Sequence, residues 1–156
     1  MAEDVQGPPG RDRGFPSEVA KAWKENFPKF WVPGNYFLAP STDLSPGGVA
    51  LINGDVPGSR WFSTGVIVLY VDDESFAYVT PQGRPFSGWI TFSAYVHEAH
   101  CTVAQVQLLV RANDPLYKLM MPPALHRVED KTWQHTLGSL AAYYSATPLF
   151  GLFFTL

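Results

Sequence analysis

Two segments separated by a short polar stretch, Trp89–Val96 and Thr102–Arg111, can pair usefully in only one way. Apolar residues recur at every second position in both. Ile90, Phe92, Ala94 and Val96 fall in the first, and Ala104, Val106, Leu108 and Val110 in the second. Period two is the mark of a strand with one buried face. Setting Ala94 opposite Ala104 brings Phe92 onto Val106 and Ile90 onto Leu108. A slip of one residue would set the apolar side of one strand against the polar side of the other, so the register is strongly specified. This chain is therefore built on an antiparallel hairpin with a face that must be covered.

The hairpin ends a series of strand-like segments. Gly47-Gly48 leads into Val49–Ile52, and the turn signals Asn53-Gly54 and Pro57-Gly58 precede Arg60–Thr64. Gly65–Val71 is a continuous apolar run consistent with a buried strand. Asp72-Asp73-Glu74 reads as an acidic turn, Ser75–Thr80 as the next strand, and Pro81-Gln82-Gly83 as the turn into the hairpin. Helical patterns flank this meander. Ser17 is placed to cap a helix over about 17–27, in which Val19, Trp23 and Phe27 recur every four residues until Pro28 stops it. Lys29–Pro40 is extended and aromatic, with Phe30, Trp31, Tyr36 and Phe37 around a Pro33-Gly34-Asn35 turn.

A last helix begins within 126–130 and runs to about Tyr144. Trp133, Leu137, Leu140, Ala141 and Tyr144 make one face of it. Gly138 costs about 1 kcal/mol relative to Ala inside a helix, so a close approach of helix to sheet is expected there. Residues 1–15 read as a flexible arm with no strand before the first helix, residues 16–146 as the domain, and 147–156 as an apolar tail. Exposed, such a tail would promote aggregation. It is expected to pack on the body, in a groove, or at a subunit contact that makes an oligomer.

Length and composition set the function classes. One domain suits 156 residues, and 46% apolar with 16% charged residues argues against global disorder. A net charge of −3 gives no electrostatic reason to expect nucleic acid or an anionic membrane as partner. The lone cysteine, Cys101, leaves no intrachain disulfide and suits a reducing compartment. The first fifteen residues lack the apolar run of a signal peptide, and no segment reaches the roughly 18 apolar residues of a membrane span. A soluble, cytoplasmic protein is the expectation. Aromatic residues make up 15%, enough to fill a core or line an apolar pocket.

Motifs for chemistry are sparse. His97, His100 and Cys101 have the donor types for zinc, but a structural site needs a fourth ligand and no second cluster supplies one. Their plain reading is a solvated hairpin tip, and no metal or cofactor is expected. Nothing marks Cys101 as a nucleophile. Ser63, Ser87 and Ser93 lie outside any Gly-x-Ser-x-Gly motif, and no phosphate loop or dinucleotide fingerprint is present. Arg111, Asp114, Arg127, Glu129 and Asp130 gather near the start of the last helix. They either pin a loop or form a polar rim where Arg111 holds a ligand oxyanion. His126 and His135 lie nine apart, about 180° round a helix, and do not share a site. The other face of the hairpin carries Trp89, Thr91, Ser93, Tyr95, Val103, Gln105, Gln107 and Leu109. That mixture suits a pocket wall, or the half-wet outside of a sheet.

A short helix, a meander of antiparallel strands and a C-terminal helix also form the order of the SRPBCC, or START-like helix-grip, superfamily. The segments Phe76–Pro85, Gly88–Ser93, Leu109–Tyr117 and Glu129–Trp133 resemble uncharacterised bacterial members. The likeness covers roughly residues 17–144. It implies an α+β fold in which a curved antiparallel sheet wraps a long C-terminal helix and encloses an apolar cavity. A hydrophobic small molecule such as a lipid, polyketide or aromatic metabolite is the implied ligand. The expected cavity-lining residues are Ile90, Phe92, Val106, Leu108, Arg111, Trp133, Leu137 and Tyr144. The same container could house a cyclase, dehydratase or isomerase, for which Tyr95, Arg111 and His126 are the candidates. A ligand-free interaction module is the third reading, and a cystatin-like cone is the alternative fold.

Overall fold

In the computed structural model the elements, in chain order, are β1 (Asp4–Gln6), α1 (Pro16–Asn26), a 3-10 turn (Phe27–Phe30), β2 (Tyr36–Leu38) and β3 (Val49–Val56). Then come β4 (Ser59–Val71), β5 (Ser75–Val79), β6 (Phe86–Val96), β7 (Thr102–Ala112), α2 (Pro122–Tyr143) and β8 (Thr147–Leu149). The structure describes residues 4–6, 15–39, 44–56, 59–81, 86–97, 101–112, 115, 122–144 and 147–149. Strands β2 to β7 form one curved antiparallel sheet in sequence order. The hairpin β6–β7 has the expected register, with Ala94 opposite Ala104, Phe92 opposite Val106 and Ile90 opposite Leu108.

That register aligns whole rows across the sheet. Val68, Tyr78, Ile90 and Leu108 face one another across four strands, and Phe76, Phe92 and Val106 form the row beside them. The pairing shifts between Gly54 and Val56, and again between Val68 and Tyr70. An extra residue on one strand bends it and adds twist, which helps curl the sheet. Val66 and Val68 are buried, whereas Leu69 at the second shift stays about half exposed. Segments expected as Val49–Ile52, Arg60–Thr64 and Gly65–Val71 are in fact two long strands, because Asn53-Gly54 continues the β3 ladder to Val56.

The acidic segment after β4 is a turn, as expected. The Asp72 carboxylate accepts the Glu74 N–H at 2.9 Å, the Ser75 N–H at 2.6 Å and the Ser75 hydroxyl at 2.8 Å. Lys24 of α1 donates to the Asp72 carbonyl at 2.6 Å and ties the helix to this turn. Partial burial pushes the Asp72 carboxyl up, but the bonds from Ser75 and Glu74 and the Lys24 charge outweigh it and hold the group below its ordinary value.

The first helix is capped two residues earlier than the Ser17 reading places it. Phe15 occupies the cap and Pro16 the first helical position, where a missing N–H costs nothing and the fixed φ suits the helix. The Glu18 carboxylate reaches back to accept the Phe15 N–H at 3.3 Å. Pro28 ends the α-helix but the chain continues as the 3-10 turn. Helix α2 begins at Pro122, before the 126–130 window, since proline is tolerated in a first turn. Among the described residues, no atom beyond its chain neighbours and its own helix backbone lies within 4 Å of where a Cβ at Gly138 would stand, so the close approach expected there is absent among them.

The chain ends also depart from expectation. Asp4–Gln6, within the arm read as strandless, pairs antiparallel with Thr147–Leu149, Val5 lying opposite Pro148. Strand β1 also runs beside β7. Three-residue strands from opposite ends of the chain carry no local pattern that could announce the pairing. The apolar segment 150–156 lies outside the described residues, as do the turns at 57–58 and 82–85. Helix α1 lies against β5, β6 and β7, while α2 packs against the 3-10 turn and β7. Among the described residues no helix is long and apolar enough to cross a membrane.

Two outcomes follow for α2. Trp133 is buried and Gln134 exposed. Trp133→Ala should lower unfolding stability by about 3–5 kcal/mol, while Gln134→Ala should change it by no more than about 0.5 kcal/mol. Because the space at Gly138 is open, Gly138→Ala should raise stability by about 1 kcal/mol. Urea unfolding of the three variants measures all three values.

Candidate functional site

Aromatic rings from every layer meet on the inner face of the sheet. Trp23 and Phe27 lie four residues apart, which sets both on one side of the chain as α1 passes into the 3-10 turn. Trp31 follows after another four. The β5–β6 register sets Phe76 opposite Phe92, and their rings stack at 4.8 Å with planes 13° apart. Around this stack the contacts are mostly edge-on: Trp23 on Phe92 at 5.1 Å, Phe27 on Phe37 at 4.9 Å and Phe27 on Phe92 at 5.0 Å. Trp133 comes in from α2, its ring 5.8 Å from both Trp31 and Phe92. Such offset and perpendicular arrangements suit the ring quadrupoles.

Four polar atoms sit inside this apolar group. Trp23 Nε1, Trp31 Nε1, Trp133 Nε1 and the Tyr78 hydroxyl are buried with no hydrogen-bond partner among the described residues. An indole N–H only donates, and a phenol donates and accepts. Burial pushes the Tyr78 phenol well above its ordinary value, so it stays protonated. Thr136 is the one other polar residue buried as a whole among the described residues, and its hydroxyl donates to the Thr132 carbonyl at 3.0 Å. No charged side chain is buried among them. The interior is neutral and rich in donors.

Of the residues expected to line a cavity, Phe92, Val106, Trp133 and Leu137 are buried on this inner side. Ile90 and Tyr144 are half-buried against the same core, and Leu108 is half-buried across from Ile90. The Tyr144 hydroxyl donates to the Glu18 carbonyl at 3.2 Å, latching the end of α2 to the start of α1. Its phenol is pushed up by burial first, then by Tyr143 and Glu18. Arg111 is not brought together with these residues. It is exposed and shares the strand parity of Gln107 and Leu109, which also face outward.

The same parity decides the second face of the hairpin. Trp89, Tyr95, Gln107 and Leu109 are exposed, Thr91, Ser93 and Gln105 are half-buried, and Val103 is buried. This is mainly an outside face, and Tyr95 with Arg111 belongs to it. At the hairpin tip the exposed His97 donates its backbone N–H to the Cys101 carbonyl at 2.8 Å. His100 and Asp114 lie outside the described residues, as do the side chains of His126, Arg127, Glu129 and Asp130. Trp23, Trp31, Phe37, Phe76 and Tyr78 were not expected at the site. Phe76 and Tyr78 carry a period-two signal, whereas Trp31 lies outside any regular element and Phe37 sits in a strand of three residues, too short to show one.

No protein-family model matches the chain, and no curated protein matches it in sequence. Solved structures do. A START superfamily protein from Mycobacterium smegmatis superposes with a TM-score of 0.59 at 17% identity, over 92% of this chain and 94% of the other. The chain has the helix-grip fold. Ara h 8.0201 matches with a TM-score of 0.61 at 12% identity, over 92% of this chain and 95% of that one. A protein of unknown function from Staphylococcus aureus, SA2116, gives 0.57 at 15%, over 93% and 98%. At such identities the likeness establishes the helix-grip fold and nothing finer.

The unpartnered hydroxyl makes Tyr78 a test of this interior. Tyr78→Phe removes that group and keeps the ring, so the free protein should be as stable as the parent or more stable by about 1 kcal/mol. The sign with pH is fixed by the raised phenol. In the unfolded chain tyrosine ionises near 10.0, while the fold resists ionisation. Stability should therefore hold below pH 10 and fall as pH rises beyond it. In Tyr78→Phe that alkaline fall should be shallower, measured by urea unfolding at several pH values.

Proposed function

We propose that this protein binds a hydrophobic small molecule between its curved sheet and its helices, as a soluble cytoplasmic binding protein. The observation that carries the reading is the aromatic, uncharged inner face, closed by rings from α1, the 3-10 turn and α2 around the Phe76–Phe92 stack. Pockets for small molecules are mostly apolar, with a few polar groups that orient the occupant. Here Phe92, Val106, Trp133 and Leu137 supply the apolar wall, and the buried indole and phenol groups supply the polar handles.

The enzyme reading draws less support. General acid–base work needs an ionisable group placed on the substrate, and Tyr95 and Arg111 lie on the outer, exposed side. Tyr78 is the buried titratable group among the described residues, and its environment keeps it neutral.

Titration with an apolar fluorescent probe tests the binding reading. The probe should bind with micromolar affinity and one-to-one stoichiometry. Bulky aromatic or lipid-like compounds should displace it, and Phe92→Ala should alter its affinity. A probe that fails to saturate, or that binds equally well to unfolded protein, would contradict the proposal.

A further inference from the structure

The buried polar atoms say which apolar molecules suit the interior, provided the binding reading above holds. Trp31 Nε1 from just after the 3-10 turn, Trp133 Nε1 from α2 and the Tyr78 hydroxyl from β5 have no partner among the described residues. Each residue is more than nine-tenths buried, at 8%, 6% and 4% relative exposure respectively. The rings are linked. Trp31 lies 5.8 Å from Trp133, and Phe27 touches both Trp31 and Tyr78 at 5.7 Å. A buried donor left unpaired carries its full desolvation penalty. Edge-on contact with a neighbouring ring face compensates only weakly.

Nothing in the described interior balances these donors. The Thr136 hydroxyl is spent on its own helix, and no buried carboxylate or amide faces them on the inner side. Asn53 Oδ1 is a buried, unpartnered acceptor, but Asn53 alternates with Ile52 and so lies on the opposite side of the sheet from the core. The interior also lacks a buried cation among the described residues, so a bound anion would lose its hydration without gaining a counter-charge.

We infer that the interior prefers neutral apolar molecules bearing an acceptor oxygen, such as aromatic ketones or quinones, over plain hydrocarbons and over carboxylate anions. The apolar body packs against the ring surfaces. Its oxygen accepts from the indole and phenol donors. A site built to hydrogen-bond discriminates strongly against an analogue lacking the group.

Fluorene and fluorenone share one tricyclic skeleton and differ by a methylene against a carbonyl, which makes them matched probes. In competition titrations with the full chain, fluorenone should bind about tenfold more tightly than fluorene. Tyr78→Phe, which keeps the ring, should narrow that preference about threefold. In a spectrum of protein carrying nitrogen-15 in its tryptophans, fluorenone should move the Trp31 and Trp133 indole protons downfield and leave the exposed Trp89 in place. Trp31→Phe and Trp133→Phe assign those signals. Equal affinity for the two probes would overturn the donor inference while the container survives. Tighter binding of fluorene-2-carboxylate than of fluorenone would overturn the preference for neutral ligands. Failure of both neutral probes to bind would remove the container reading, and this inference with it.

Discussion

The ring of Phe92 touches the rings of Trp23, Phe27, Phe76, Tyr78 and Trp133, so α1, the 3-10 turn, the sheet and α2 all meet on one residue of β6. Its position follows from the β6–β7 register. Were β6 to slip by one residue, Phe92 would turn outward and Thr91 or Ser93 would face the helices. Four elements would lose a shared contact at once. Core aromatics each bury a large apolar area, and edge-on pairs add to that burial. The hairpin register therefore governs more than the hairpin.

Building the interior from tryptophan and tyrosine has a second effect. Phenylalanine at the same places would fill space without any polar atom. Indole and phenol fill similar space and leave N–H and O–H groups in a medium where unpaired donors are unfavourable. The outer side of the sheet shows the opposite arrangement, with Trp89, Leu109 and Arg111 all exposed. Strand alternation alone separates these two chemistries, and residues adjacent in sequence serve different environments.

The latch at the chain termini of the helices fits the same picture. Tyr144 closes α2 onto the Glu18 carbonyl in the first turn of α1, and Lys24 fixes the later part of α1 to the Asp72 turn. Helix α1 is thereby tied at one end to α2 and at the other to the sheet. The aromatic interior lies between these two ties, and its geometry depends on both.

Much of the fold was legible because it rests on periodicity. The alternation of Ile90, Phe92 and Ala94 against Ala104, Val106 and Leu108 dictated the register, and the spacing of Val19 and Trp23 and of Trp133, Leu137 and Leu140 dictated two buried helix faces. The burial of Phe92, Val106, Trp133 and Leu137 in the candidate site was readable for the same reason, since all four lie in regular elements. Arg111 was drawn inward by its charge, although the hairpin's own parity sends it out. The Gly138 expectation assumed a contact that only the docking of α2 could decide. The β1–β8 pairing joins residues more than 140 positions apart and has no local signature. By itself, the sequence determined which faces of its strands and helices are apolar, because side-chain period is set by local backbone geometry. Only the tertiary structure decided which rings meet, and which of their polar atoms are left without a partner, because those contacts depend on how separate elements pack.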